Sequence, residues 1–162
     1  ASTHVSSASL LSTAHVTCVE KYAPAFAYLQ QNIALCKEQG IENVVALQGD
    51  ILSEAFASAF QDIDTIVSNP PYIPSEIVTT LMPEVVDFEP REALDGKEDG
   101  LYFYRKIIDR CKEFLKPQGY LLFEIGYDQG EAVSSMLRCA GFEEVHVIKD
   151  LARNDRVVMG HL

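Results

Sequence analysis

The chain is poor in basic side chains: 13 Lys and Arg stand against 24 Asp and Glu, a formal charge of −11 at pH 7. An enzyme acting on nucleic acid carries a stripe of Lys and Arg that neutralises phosphates. The balance here argues against DNA or RNA as direct substrate and favours a protein or a small molecule. No apolar run approaches the ~20 residues of a membrane span, and no basic start with an apolar middle marks a signal peptide. Cys18, Cys36, Cys111 and Cys139 are far apart and form no CxxC pair. Neither a zinc site nor a disulfide framework is indicated, and reduced thiols in the cytoplasm are the simplest account. His4, His15, His146 and His161 form no constellation, and no Ser or Cys stands beside a base as a nucleophile requires. Glycine is missing from residues 1–13, where Ser, Thr, Ala and Leu dominate.

What is present suits one domain with one substantial core: 162 residues, 48% hydrophobic and 23% charged. Ala14 to Val19 alternates as a strand ending at Glu20. Pro24 then opens a helix at a position where its missing amide is harmless, with Phe26, Leu29, Ile33 and Cys36 on one face and Gly40 as its stop. Asn43 to Leu47 reads as the next strand, followed by Gly49-Asp50 and a short helix from about Ser53. Ile63 to Ser68 is a third strand. Between Ile73 and Asp99 lie three prolines and several acids, and the spacing predicts only a short helix over 75–81. Helical spacing returns over 100–115, with Leu101, Tyr104, Ile107, Ile108, Cys111 and Leu115 inward. Lys116 to Gly119 is a turn, Tyr120 to Ile125 a strand, and Gln129 to Cys139 a helix stopped by Gly141. Glu143 to Ile148 and Asp155 to Gly160 form an antiparallel pair. The pattern predicts an α/β Rossmann-like sheet, parallel but for its last strand.

The third strand runs into Asn69-Pro70-Pro71-Tyr72. Two prolines fix φ and remove amide hydrogens, so the backbone is stiff and cannot continue a ladder; the residue before a proline is driven into an extended conformation. A side-chain amide, free backbone carbonyls and an aromatic ring are thereby held on a rigid platform suited to a flat hydrogen-bonding group such as an amide or a nucleobase. The same four residues also serve as a plain strand exit, since Asn-Pro is an ordinary turn signal.

Asn-Pro-Pro-Tyr after a hydrophobic strand resembles the active-site motif of S-adenosyl-L-methionine-dependent methyltransferases that modify planar nitrogens. The resemblance continues in Phe88-Glu89-Pro90-Arg91-Glu92-Ala93-Leu94, in Gly96 to Leu101, in Glu124-Ile125-Gly126 with Gln129, and in Asp150-Leu151 with Asp155-Arg156-Val157-Val158. Together these segments are similar to the HemK/PrmC family, the protein-glutamine N5-methyltransferases of peptide chain release factors. The resemblance runs over residues 14–162 and implies a catalytic domain of the class I methyltransferase type there. It also implies a first strand and a glycine-rich cofactor loop ahead of it. Residues 1–13 match neither, and read as a disordered or degenerate remnant.

By this resemblance Glu20 contacts the cofactor ribose, Asp50 lies near its adenine amino group, and Asn69 adjoins both cofactor and substrate. Read alone, a Glu at a strand end such as Glu20 is usually just solvated, and Asp50 is equally a cap for the helix after it. The resemblance further implies that Pro70, Pro71 and Tyr72 hold the substrate with Asn69 and that Glu89 belongs to a lid over it, a segment that read alone also suits a plain surface loop. A carboxamide nitrogen is a weak nucleophile because its lone pair is delocalised. Acceptors on its two N–H groups, the Asn69 side-chain oxygen and the Pro70 carbonyl, return electron density to it, and Tyr72 packs on the flat face. Methyl transfer is then an in-line displacement governed by positioning, with no strong base required. Two other readings share the sequence: an adenine-N6 methyltransferase of DNA or RNA, and a non-catalytic domain that has lost its cofactor loop.

Overall fold

A computed structural model describes residues 14–57, 60–80 and 90–162. The expected N-terminal remnant, residues 1–13, and the lid residue Glu89 lie outside the described residues. The chain divides into two units, Ala1–Phe56 and Ala57–Leu162.

In the first unit β1 (Val16–Glu20) and β2 (Val44–Gln48) pair in parallel, from Val16 opposite Val44 to Glu20 opposite Gln48. Parallel neighbours need a crossover, and α1 (Ala23–Glu38) supplies it. Pro24 sits in its first turn, and Gly40, at φ 80°, ends it in the left-handed region that glycine tolerates. Of the stripe expected to face the core only Ile33 is buried; Phe26, Leu29 and Cys36 are half-buried. Two five-residue strands present less apolar surface than a helix of 16 residues can cover. A short helix, α2 (Glu54–Ala57), comes after Asp50.

The second unit is built on a four-stranded sheet in the order β3-β4-β6-β5. β3 (Ile63–Ser68) and β4 (Leu115–Glu124) are parallel, and β6 (Asp155–His161) runs antiparallel to both β4 and β5 (Glu143–Lys149). Only the last strand is therefore reversed, as the sequence predicts. It lies inside the sheet, between β4 and β5. Among the described residues the short helices α3 (Ser75–Val78) and α4 (Arg91–Leu94) lie between β3 and α5 (Tyr102–Cys111); α6 (Gly130–Cys139) joins β4 to β5. α4 was not expected, since four residues between Pro90 and Asp95 are too few to show a helical period. The core joins Tyr104, Ile107 and Cys111 of α5 to Leu121 and Phe123 of β4 and Val133 of α6, all at 3% exposure or less. The rings of Tyr104 and Phe123 meet edge to face at 5.1 Å.

The turn expected at Lys116–Gly119 is absorbed into β4 as an irregularity. Ile63 pairs with Leu115 while Thr65 pairs with Tyr120, so β4 carries extra residues at this point. Gln118 takes φ 64°, and its N–H donates to the carbonyl of Leu162 at 2.7 Å. Leu115, expected on the helix, is a buried strand residue instead.

Candidate active site

β3 ends where Ser68 pairs with Phe123, and the next four residues leave the sheet at the carboxyl end of a parallel pair, the usual ligand-facing edge of such sheets. The Asn69 side chain is exposed, Pro70 is buried, and Pro71 and Tyr72 are half-buried. Among the described residues no hydrogen bond engages the Asn69 side chain or the Pro70 carbonyl. Both acceptors are open.

The backbone just past Tyr72 is held tightly. Ile73 N–H donates to the Leu94 carbonyl at 3.0 Å, Gly96 N–H to the Ile73 carbonyl at 2.8 Å, and Ser75 N–H to the Lys97 carbonyl at 2.9 Å. This short parallel pairing ties the two flanks of the expected lid to each other. Asp95 fastens it: its Oδ1 accepts the Ser75 hydroxyl at 2.5 Å and the Lys97 N–H at 2.9 Å. The Ser75 and Lys97 bonds, helped by nearby Lys97 and Arg91 charges, hold the Asp95 carboxyl below the usual carboxylate range.

The loop then passes directly over Tyr72. A Cβ on Gly96 would lie 2.8 Å from the Tyr72 Cα, and one on Gly100 2.3 Å from the Tyr72 carbonyl oxygen. Gly100 is also at φ 72°. Both approaches are backbone on backbone, and only glycine permits them. Within the loop, Asp99 accepts the Leu101 N–H at 3.0 Å and pairs with both terminal nitrogens of Arg105 at 2.9 and 3.0 Å. The Arg105 guanidinium draws its carboxyl down to about 2.

Gln129, the residue capping α6, sits beneath this loop and is buried. Its Nε2 donates to the Tyr72 carbonyl at 3.0 Å and the Gly100 carbonyl at 3.4 Å. Its Oε1 accepts the Gly126 N–H at 3.0 Å and faces the Tyr104 hydroxyl at 3.3 Å. Tyr104 shares its hydroxyl hydrogen with the Glu124 carbonyl at 3.0 Å. Burial pushes the Tyr104 pKa well above its ordinary value, so it remains a donor.

In the first unit Glu20 and Asp50 lie at the carboxyl ends of β1 and just past β2. Gly49 N–H donates to the Glu20 carbonyl at 3.0 Å, which brings the two strand ends together. Glu20 Oε1 accepts the Tyr22 N–H at 2.8 Å; among the described residues nothing engages Oε2. Asp50 is more occupied, with Oδ1 on the Leu52 N–H at 2.9 Å and Oδ2 on Lys21 Nζ at 2.9 Å. Burial opposes its ionisation, yet the Lys21 and Leu52 bonds hold its pKa below the ordinary value. Asp50 thus shapes the turn before α2 through the Leu52 N–H, ahead of the helix's own amides, and keeps a lone pair on each oxygen.

The sequence reading named Asn69, Pro70, Pro71 and Tyr72 together, and the structure places them directly after β3, outside the sheet. It did not name Ser75, Asp95 or the Tyr104 hydroxyl. Tyr104 was read as core, which its ring is, and no periodicity reveals what its oxygen touches. Gln129 and the two glycines carried the family resemblance, without any sign of their common target at Tyr72.

Solved structures share this fold. A methyltransferase from Pyrococcus furiosus matches with a TM-score of 0.60 at 18% identity, covering 91% of this chain and 62% of that one. A fibrillarin from Methanococcus jannaschii matches with a TM-score of 0.58 at 17% identity, over 91% of this chain and 55% of that one. The fold is that of the class I methyltransferases, an α/β architecture with a reversed last strand. No family model matches the chain. Among curated proteins, the release factor glutamine methyltransferase of Caulobacter vibrioides is 49% identical over 114 residues, 70% of this chain and 38% of that protein. That of Clostridium botulinum is 49% identical over 72% of this chain and 41% of its own length, and that of Geobacter sulfurreducens 39% identical over 98% and 53%. The chain belongs to the family of these release factor glutamine methyltransferases and spans about half of their length or less.

Proposed function

We propose that the protein transfers a methyl group from S-adenosyl-L-methionine to the side-chain amide nitrogen of a glutamine in a peptide chain release factor. The observation that carries this reading is the pair of open acceptors, the Asn69 side-chain oxygen and the Pro70 carbonyl, on a backbone stiffened by two prolines. Two unpaired acceptors on adjacent residues match in number the two N–H groups of a primary carboxamide. When bound, the cofactor's sulfonium supplies an electrophilic methyl group. Glu20 has the free carboxylate oxygen that a ribose diol requires, and Asp50 keeps acceptor capacity for an adenine amino group. Tyr72 covers the flat face of the amide. Asn69 and Pro70 polarise and orient the nitrogen; the rate then rests on positioning rather than on a base.

The ion pairs support a protein substrate. Lys21, Lys97, Arg105, Arg110, Lys116, Lys149 and Arg156 each lie within 4.0 Å of an acidic side chain. Cations already neutralised are not offered to phosphates. Among the described residues no helix is long and apolar enough to cross a membrane, and all four cysteines are free thiols. Free thiols fit a cytoplasmic protein working beside the translation machinery.

The test is methyl incorporation from labelled cofactor into three acceptors: a release factor, the same factor with its target glutamine replaced, and a duplex oligonucleotide. Label in the first alone is the expected result. Label in the oligonucleotide and not in the factor would replace this reading with nucleic-acid methylation.

A further inference from the structure

We propose that Gln129 is the positioning residue of this site, locking the acceptor platform and the glycine loop into one body. The inference rests on the functional reading above and adds to it a residue that touches neither substrate nor cofactor. All four hydrogen-bonding positions of its amide are used: Nε2 on the Tyr72 and Gly100 carbonyls, Oε1 with Gly126 N–H and Tyr104 O–H. The partners fix which end is which, because carbonyls only accept and a backbone N–H only donates.

The Tyr72 carbonyl is a decisive place to hold. Ser68, at the end of β3, is fixed by its pairing with Phe123. Between Ser68 and Tyr72 lie Asn69, Pro70 and Pro71, and both prolines have φ locked by their rings. Pinning Tyr72 at the far end leaves few free torsions, so the directions of the Asn69 side chain and the Pro70 carbonyl are set from both sides. The second Nε2 hydrogen reaches Gly100, beyond the pairing of residues 73–75 with 94–97, so one amide closes the open end of that pairing. Gly126 and the reciprocal Gln129 N–H to Gly126 carbonyl bond, at 3.0 Å, anchor the amide to the end of β4.

Gln129→Glu keeps shape and volume but replaces the donor with an oxygen facing two carbonyls. Two readouts apply to the full chain: amide hydrogen exchange at Ile73 and Gly96, and single-turnover methyl transfer with cofactor affinity measured alongside. Faster exchange at these two amides is expected, with a rate lower by about a hundred-fold, as for a displacement near 1 Å, and unchanged cofactor affinity. Unchanged exchange overturns the inference whatever the protein methylates. Faster exchange with a wild-type rate per folded molecule also overturns it, reducing Gln129 to a structural residue. Should Gln129→Glu fail to fold, Tyr104→Phe, which removes one partner of Oε1, decides in its place. It should quicken exchange at Gly96 and slow transfer a few-fold, and wild-type values of both refute the inference. A wild-type protein that methylates no glutamine strikes the functional reading alone, because the exchange data still decide the clamp.

Discussion

The carbonyl oxygen of Tyr72 occupies the place where a side chain on Gly100 would stand, 2.3 Å from an ideal Cβ. The contact is backbone on backbone, so nothing flexible can yield. Gly141 makes a useful contrast: its φ is 93°, also left-handed, but no atom lies within 4 Å of the Cβ position. Gly141→Ala should therefore lose only the conformational term, about 1 kcal/mol, while Gly100→Ala adds a steric one and should lose about 2–4 kcal/mol. Denaturant melts compare the two, and equal losses would refute the close approach.

Acid should loosen the loop between Asp95 and Leu101. Asp95 and Asp99 both have carboxyl pKa values depressed in the folded chain, Asp99 to about 2. A depressed carboxylate stabilises the fold above its unfolded pKa, near 4, and that contribution disappears as pH falls through the folded value. Protection of the Lys97 and Leu101 amides, which donate to these carboxylates, should hold at pH 5 and fade toward pH 2. Nuclear magnetic resonance titration reads this directly. An Asp99 carboxyl titrating near 4 would contradict the Arg105 pairing.

Cofactor affinity should respond unequally to the two carboxylates of the first unit. Glu20→Ala removes the oxygen left free at the end of β1 and should weaken binding by about 1.5–3 kcal/mol, as for a lost charge-assisted hydrogen bond. Asp50→Asn keeps an acceptor and should have the smaller effect on affinity. Calorimetry on both variants checks the order, and unchanged affinity in Glu20→Ala would remove Glu20 from the site.

Strand ends, the inward face of α5 and the stiff proline exit of β3 were legible in the sequence because each rests on a local rule: alternation, helical period, or the loss of an amide at proline. The reversed last strand was legible too, from the short separation between Ile148 and Asp155; its place between β4 and β5 was not. Long-range contacts left no local trace. Lys116 to Gly119 looked like a turn because its residues favour one, and pairing with β3 kept it within β4 as an irregularity. Tyr104 and Phe123 read as core, and both are, but the Tyr104 hydroxyl meets Gln129 across 25 positions of sequence. Gly96 and Gly100 showed glycine's freedom without showing that Tyr72 uses the space.

The single-turnover rate of Asn69→Ala, measured on release factor and compared with its thermal melt, tests the central claim most directly. Asn69 is exposed and its side chain has no partner among the described residues, so its removal should leave the melting temperature within a degree or two. The rate should fall by about 10²–10³, the usual loss for one preorganised hydrogen-bonding group at the reacting centre. Asn69→Asp, which keeps an acceptor, should retain more substrate binding than Asn69→Ala while still losing much of the rate. A near wild-type rate in Asn69→Ala, with only the melting temperature changed, would make the platform a strand exit and contradict the account.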